Sequence, residues 1–371
     1  MSLSFIEKMI VLGIIIITIP GFVFQKSKAV FIFEYSVLTL LIAFYDSMES
    51  DLFFYSHEYD AKRLSASIFE KGYEFLGILF KNVGFSFEVF HIVVALLSMI
   101  AFAYVILHLS KRPAFCASLM FGFATFEYAW QLKSLTASAI VVCAAYYFFG
   151  DIYNIKRQII YIVLVIITSE FHFSSVLFLP IVLIACKNFR VVKRVVLVGL
   201  LMVIILFIPL TAYARTLIPA FATYLNPLSI KTIVISMAWH VAGIFIMGLM
   251  YSKVRKMQKS QCFGGIDKLS IQESELIRNI YLGSVCLLLA LPLYYFTNVT
   301  SRIIRTWCIF YIIGVSCVKK RWRFLNKENV IQYSMIGYII MSFIAYYVLF
   351  THNKLLVKNF IEGNFLLRIL L

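Results

Sequence analysis

Apolar runs long enough to cross a membrane are the feature that most constrains this chain. A transmembrane helix needs about 20 apolar residues, with about 17–25 as the usual range. The candidate runs lie at 5–24, 29–46, 87–108, 114–131, 135–150, 157–170, 172–186, 194–211, 232–250, 279–296, 303–318 and 330–350. Several are short, as expected of tilted, broken or re-entrant segments. The runs predict an all-α polytopic integral membrane protein with about 10–12 transmembrane helices.

The composition excludes most other classes of protein. Hydrophobic residues make up 62% of the chain and charged residues 14%, against about 45–50% and about 25% in soluble domains. The seven cysteines form no C-x-x-C pair, so neither a disulfide framework nor a zinc site is predicted. The net charge of +16 suits the basic cytoplasmic loops of membrane proteins, so we expect a lipid bilayer and no nucleic acid as partner.

Basic loops set the predicted orientation. Counting the spans alternately places 21 of the 34 Lys and Arg residues on one side, which is therefore cytoplasmic. These loops contain Lys26 and Lys28, Lys111 and Arg112, Lys156 and Arg157, and the segments 187–194, 251–278 and 319–327. The N-terminus and the tail 351–371 are then external, although Lys8 argues mildly against this. With no internal repeat or linker, residues 1–371 are predicted to form a single transmembrane domain with external loops at about 46–86 and 212–230.

The first external loop is the main polar feature. Eight of the 18 acidic residues lie between 46 and 88. Apolar residues at helical spacing over 60–81 predict an amphipathic helix on the outer leaflet. The carboxylate pair Glu49 and Asp51 has three interpretations: a divalent-metal site, a site for carbohydrate hydroxyls, or a solvated loop.

Charged side chains at the ends of spans are costly and are therefore candidate functional groups. His172 lies between two predicted spans, and it has two interpretations: a general base, or a side chain hydrogen-bonded to a nearby carbonyl. Lys133 is placed to face a lipid-linked phosphate or to extend toward headgroups. Arg302 and Arg305, one helical turn apart, suit a diphosphate clamp or headgroup anchoring. Arg215 has a weaker claim.

The order of these motifs resembles the EpsG family of Wzy-like polysaccharide polymerases. The matching stretches are Asp51 with Tyr55, Glu70-Lys71-Gly72-Tyr73, Gln131-Leu132-Lys133-Ser134, Phe171-His172-Phe173-Ser174-Ser175 running to Pro180, and Arg302 or Arg305. They cover about 45–310. Lys133-Ser134 stands where the family has Arg-Gln, which keeps a charge but loses bidentate geometry.

The resemblance implies a glycosyltransferase reaction on the outer leaflet. A polyprenyl-diphosphate-linked oligosaccharide, of the undecaprenyl type, would donate its glycan to a hydroxyl of another unit, and lipid diphosphate would leave. The donor is already activated, and no nucleotide-binding motif is present, so no cofactor and no metal are expected. The product would be O-antigen, capsule or exopolysaccharide, made at a bacterial inner membrane with the active site facing the periplasm or exterior. A chain-length regulator or flippase is a further candidate partner.

The resemblance also implies roles for the candidate residues. His172 or Asp51 is the expected base, and the positive side chains are expected to contact the diphosphate. The proposed catalytic set is His172, Asp51, Arg302 and Arg305, and the proposed substrate-binding set is Lys133, Tyr55, Glu70, Tyr73, Gln131, Ser174 and Arg215. Two alternatives stay open: a flippase or transporter of lipid-linked glycans, and another polyprenyl-linked glycosyltransferase or ligase. Transporters commonly show internal repeats, which this sequence lacks.

Overall fold

A computed structural model describes residues 5–46, 51–61, 70–123, 125–186, 188–217, 229–261, 271–295, 301–317, 333–334, 336–338 and 360–369. These ranges contain helices and no strand, apart from an isolated β-bridge between Tyr45 and Asn364. The predicted all-α membrane fold is confirmed. Among the described residues, four helices are long and apolar enough to cross a bilayer, at Phe87–Leu109, Leu132–Phe149, Ile230–Lys256 and Ile271–Tyr295.

The helices follow the predicted apolar runs closely. They are α1 Phe5–Val23, α2 Lys28–Ala43, α3 Asp51–Ala61, α4 Lys71–Asn82, α5 Phe87–Leu109, α6 Pro113–Phe123, α7 Thr125–Trp130, α8 Leu132–Phe149, α9 Ile155–Ser169, α10 Phe189–Leu217, α11 Ile230–Gln261, α12 Ile271–Cys286, α13 Ser301–Cys317 and α14 Phe365–Arg368. The described residues also contain two 3₁₀ helices, Phe173–Ala185 and Leu287–Tyr295. The predicted span 114–131 corresponds to two helices, α6 and α7. Most of 330–350 and of the loop 212–230, together with the centre of 251–278, lies outside the described residues.

The amphipathic helix predicted over 60–81 is wrong in its extent. α3 ends at Ala61 and α4 begins at Lys71. Glu70 has φ 63° and ψ 27°, which is left-handed backbone that an α-helix cannot run through. Residues 62–69, including two of the apolar positions used for the prediction, are not among those described.

The 3₁₀ winding explains how a short apolar run can serve as a span. A 3₁₀ helix rises about 2.0 Å per residue, against about 1.5 Å for an α-helix. The 13 residues of Phe173–Ala185 therefore extend about 26 Å rather than about 20 Å. This length approaches the hydrocarbon thickness of about 30 Å, which suits the predicted span 172–186.

The chain divides into two compact units, and the single-domain interpretation stays a prediction. The first contains 1–143, 167–173 and 339–371. Its core packs α2 against α5, α6 and α7. Within it the buried Glu34 side chain joins three helices, because it accepts hydrogen bonds from Gly21 N at 2.6 Å and from Ser118 Oγ at 2.9 Å.

The second unit contains 144–166 and 174–338. Trp307 lies at the centre of its core, where its indole N–H donates to Ser284 Oγ at 2.8 Å. The indole packs against Phe149, Phe178 and Phe310. α13, which carries Trp307, is buried along most of its length.

Candidate active site

Three segments predicted to share the external membrane face meet in the first unit. They are the α3–α4 region, the start of α8, and the turn that follows α9. The side chains of Glu58, Glu70, Lys133 and His172 form one connected group there, which we call the Glu70 cluster.

Glycine allows the backbones of these segments to approach. The N–H groups of Gly72 and Tyr73 donate to the carbonyl oxygen of Glu170, at 2.9 and 3.4 Å. A Cβ atom at Gly72 would lie 3.1 Å from the Cβ of Glu170, which is tighter than ordinary packing. The contact fixes the first turn of α4 against the turn after α9. The Glu-x-Gly-Tyr motif therefore places Glu70 beside His172.

Glu70 is the centre of the hydrogen bonding. Its Oε1 lies 2.6 Å from Nδ1 of His172 and accepts the backbone N–H of Phe173 at 3.3 Å. Burial alone would raise the pKa of Glu70, but the hydrogen bond and charge of His172, with Lys133 and the Phe173 N–H, outweigh it and lower that pKa to about 2. An ionised carboxylate can only accept, so Nδ1 carries the hydrogen. In the neutral ring, Nε2 then holds the lone pair.

Lys133 is enclosed by acidic and aromatic groups. Its Nζ lies 3.0 Å from Glu58 Oε2 and 3.5 Å from Glu70 Oε2. The same Nζ lies 4.9 Å from the ring centroid of Tyr55 and 5.2 Å from that of Tyr73, and the residue is 7% exposed. Two carboxylates therefore already balance its charge.

Tyr73 presents an unsatisfied hydroxyl. The residue is 3% exposed, and its OH has no hydrogen-bond partner in the part of the chain that the structure describes. Burial raises the pKa of this phenol well above its usual value, with Tyr55 and Glu58 adding to the effect, so it is neutral. A buried donor without a partner is uncommon in native proteins and suits a ligand contact.

Two other predicted residues of this unit are Asp51 and Gln131. Asp51 is half-buried at the first position of α3, and no hydrogen bond or ion pair joins its carboxylate to the described ranges. Its predicted partner Glu49 is outside those ranges. Gln131 is half-buried between α7 and α8, where its carbonyl accepts the N–H of Leu135 at 2.9 Å.

The remaining predicted residues belong to the second unit. Ser174 is buried in the first 3₁₀ helix. Arg302 and Arg305 lie near the N-terminal end of α13, with Arg302 half-buried and Arg305 4% exposed. Arg215 is in the last turn of α10, and its side chain is not among those described.

Glu58 is the member of the cluster that sequence reasoning missed. It follows Tyr55 by three positions on α3, so the two side chains share a helix face, and both contact Lys133. The helical spacing of acidic and aromatic residues was the available signal.

Comparison with known proteins adds one result to this geometry. The model of the EpsG family matches residues 7–362, which is nearly the whole chain. The chain belongs to the EpsG family. EpsG is a family of Wzy-like polymerases, so membership indicates a polysaccharide polymerase or similar glycosyltransferase function in a membrane. No curated protein and no solved structure matches the chain.

The match covers every segment of the Glu70 cluster. It also includes Arg302 and Arg305 of the second unit. Both sets of candidate residues therefore lie within the region that defines the EpsG family.

Proposed function

We propose that the protein polymerises polyprenyl-diphosphate-linked oligosaccharides on the outer leaflet, with the Glu70–His172 pair supplying the base. The observation that carries the proposal is the 2.6 Å contact between Glu70 Oε1 and His172 Nδ1 in an EpsG-family chain. A carboxylate that holds one ring nitrogen fixes the tautomer and stabilises the imidazolium that forms when the other nitrogen takes a proton.

In the proposed step, the acceptor hydroxyl loses its proton to Nε2 of His172. The hydroxyl oxygen bonds to the anomeric carbon of the donor, the bond from that carbon to the phosphate oxygen breaks, and lipid diphosphate leaves with the electron pair. Lys133 keeps Glu70 ionised and in place. Tyr73 donates its hydroxyl hydrogen to the saccharide.

The charge of the Glu70 cluster argues for diphosphate contacts elsewhere. Two carboxylates surround its single lysine. We assign the diphosphate to Arg302 and Arg305, because guanidinium groups bind phosphate oxygens bidentately and stay charged. Asp51 is the weaker base, because no group in the described ranges orients its carboxylate. Gln131, Ser174 and Arg215 remain proposed saccharide contacts.

The proposal places the protein in a bacterial inner membrane with the Glu70 cluster facing outward. The product is a surface polysaccharide such as O-antigen, capsule or exopolysaccharide. A chain-length regulator or a flippase is the further partner that we propose.

Complementation of a deletion strain tests the function. We expect deletion to abolish high-molecular-weight polysaccharide and to leave single repeat units on the lipid. The control is His108→Leu, which replaces an exposed histidine at the C-terminal end of α5. Wild type and this control restore the polymer, whereas His172→Ala and Arg302→Ala/Arg305→Ala do not. If the deletion strain keeps full-length polymer, or if single units accumulate only on the cytoplasmic leaflet as a flippase predicts, the proposal fails.

A further inference from the structure

A second candidate site lies near the N-terminal end of α3, where Leu52 contributes to its lining. A cavity of about 290 Å³ is enclosed by the end of α2, the start of α5 and the C-terminal segment, which contributes Phe365. That segment is fixed there: Asn364 donates to the carbonyl of Leu41 at 2.7 Å, and Arg368 pairs with Asp46. The cavity is therefore a built part of the first unit, near the size of about 300–1,000 Å³ typical of ligand sites.

His91 is the observation that points to a ligand. It lines the cavity, is 3% exposed, and its Nδ1 has no hydrogen-bond partner in the described ranges. Its Nε2 lies 3.4 Å from the carbonyl oxygen of Ile42, which can only accept, so Nε2 carries the hydrogen. Nδ1 is then a buried acceptor that needs a donor. Burial of such an atom without a partner is costly.

The other polar groups of the lining also favour a ligand that donates hydrogen bonds. Two carboxylates line the cavity, Asp46, which is paired with Arg368, and Glu88, and their oxygens are also acceptors. Tyr45, Phe87 and Phe365 supply aromatic walls. A ligand that fits is uncharged, rich in hydroxyl donors, and apolar on its faces. A diphosphate would meet the Glu88 carboxylate, and an acyl chain would leave Nδ1 of His91 unsatisfied.

A larger cavity shares part of this lining. Phe87 and Glu88 also line a cavity of about 470 Å³ whose wall includes Phe53, His57 and Lys81. Lys81 is paired with Asp60 at 3.0 Å, so its charge is balanced. Two adjoining cavities with shared lining form a path longer than one sugar ring.

We infer that these two cavities form a saccharide groove that holds a neutral stretch of the glycan chain, separate from the Glu70 cluster. The inference rests on the proposed polymerase function and extends it. α3 contributes to both sites: Tyr55 and Glu58 contact Lys133, whereas Phe53 and His57 line the groove. A groove beside a transfer site would hold the chain between additions.

The test uses oligosaccharides of one to six repeat units, released by partial hydrolysis from the polymer of the strain that carries this chain. Their Kd for the full-length protein in nanodiscs is measured by calorimetry, without lipid-linked donor. We expect longer oligosaccharides to bind more tightly than a single unit. His91→Leu raises the Kd about five- to tenfold, as the loss of one hydrogen bond predicts, and Ala43→Phe, which fills the cavity, abolishes binding.

Matched variants keep the result decisive. His108→Leu removes a histidine from the same helix and leaves the Kd unchanged. Glu88→Leu, at an exposed position, repeats the test without a buried substitution and also raises the Kd. Glu70→Gln slows elongation without changing the Kd, which separates the groove from the Glu70 cluster.

Three outcomes would overturn the inference. Wild-type Kd values in the His91, Glu88 and Ala43 variants would show that saccharide binds elsewhere or not at all. A co-purifying phospholipid that Ala43→Phe displaces and oligosaccharide does not would make the cavity a lipid site. Both results leave the polymerase function intact if the deletion strain lacks polymer, whereas a deletion strain that keeps its polymer removes the proposed function and the groove together.

Discussion

Replacing Glu70 with glutamine removes one negative charge from the Glu70 cluster and preserves its shape. The carboxylate accepts from His172 at 2.6 Å and from the Phe173 N–H at 3.3 Å, and lies 3.5 Å from Lys133. Hydrogen bonds to charged groups contribute about 1.5–3 kcal/mol. Glutamine can still accept the Nδ1 hydrogen, so the substitution exchanges this bond for a neutral one of about 0.5–1.5 kcal/mol. The difference of about 1–1.5 kcal/mol should lower the transfer rate about 5- to 13-fold, at 1.36 kcal/mol per tenfold.

The assay is elongation of purified lipid-linked repeat units in proteoliposomes, with products separated by length. Glu70→Gln should reduce the rate constant at saturating substrate, because the substitution acts on a positioning residue. His108→Leu is the control for loss of a polar side chain. A Glu70→Gln rate within twofold of this control would refute the role assigned to the Glu70–His172 pair.

The pH dependence of the Tm provides a second test of Glu70→Gln. Because the pKa of Glu70 is lowered to about 2 in the folded protein, its stabilising contribution is complete above the ordinary carboxyl pKa of about 4.5 and is lost as pH falls toward 2. The Tm difference between wild type and Glu70→Gln should therefore shrink as the pH falls from about 4.5 to about 2. A difference that grows over that range would contradict this charge assignment.

Substitutions at three further positions, with Gly13 as a control position, test the packing by thermal unfolding of purified protein. Lys133→Met should lower the Tm and the elongation rate, because it leaves two carboxylates facing each other without a cation; an unchanged Tm would contradict the observed pairing. Gly283→Ala puts a methyl carbon 2.7 Å from Cη2 of Trp307 and should destabilise by about 1–3 kcal/mol, whereas Gly13→Ala, with open space around it, should not. Glu34→Ala should cost about 1–3 kcal/mol and Glu34→Gln less, because the amide can still bond its neighbours; equal losses would count against that network.

The helices were largely predictable, because an apolar segment that lies in lipid must satisfy its backbone hydrogen bonds internally, which an α-helix does. The length of each apolar run then gives the length of the helix. The run 87–108 became Phe87–Leu109, and 5–24 became Phe5–Val23. The 3₁₀ winding of Phe173–Ala185 was not predictable, since apolar content is the same in either helix type. The break at Glu70 was missed because side-chain periodicity carries no information on a single left-handed residue.

Three of the four residues of the Glu70 cluster were predicted as site residues, but the pairings between them were not. Alternate counting of spans placed Lys133, His172 and the first external loop on one face, and the structure shows them in contact. The ion pair between Lys133 and Glu58 joins positions 75 residues apart, and the bond between His172 and Glu70 joins positions 102 apart. Tertiary packing sets such pairs. The sequence therefore predicted a saccharide contact for Glu70 and a phosphate contact for Lys133, but not their contacts with His172 and Glu58.

The central claim, that His172 is the base of an outward-facing glycan transfer, is tested most directly by one turnover of labelled lipid-linked repeat units in proteoliposomes of known orientation. Wild-type protein should join two units and release lipid diphosphate without ATP, and His172→Ala should do so at least about 100-fold more slowly, the usual contribution of a general base. Transfer by His172→Ala at the wild-type rate would contradict the account.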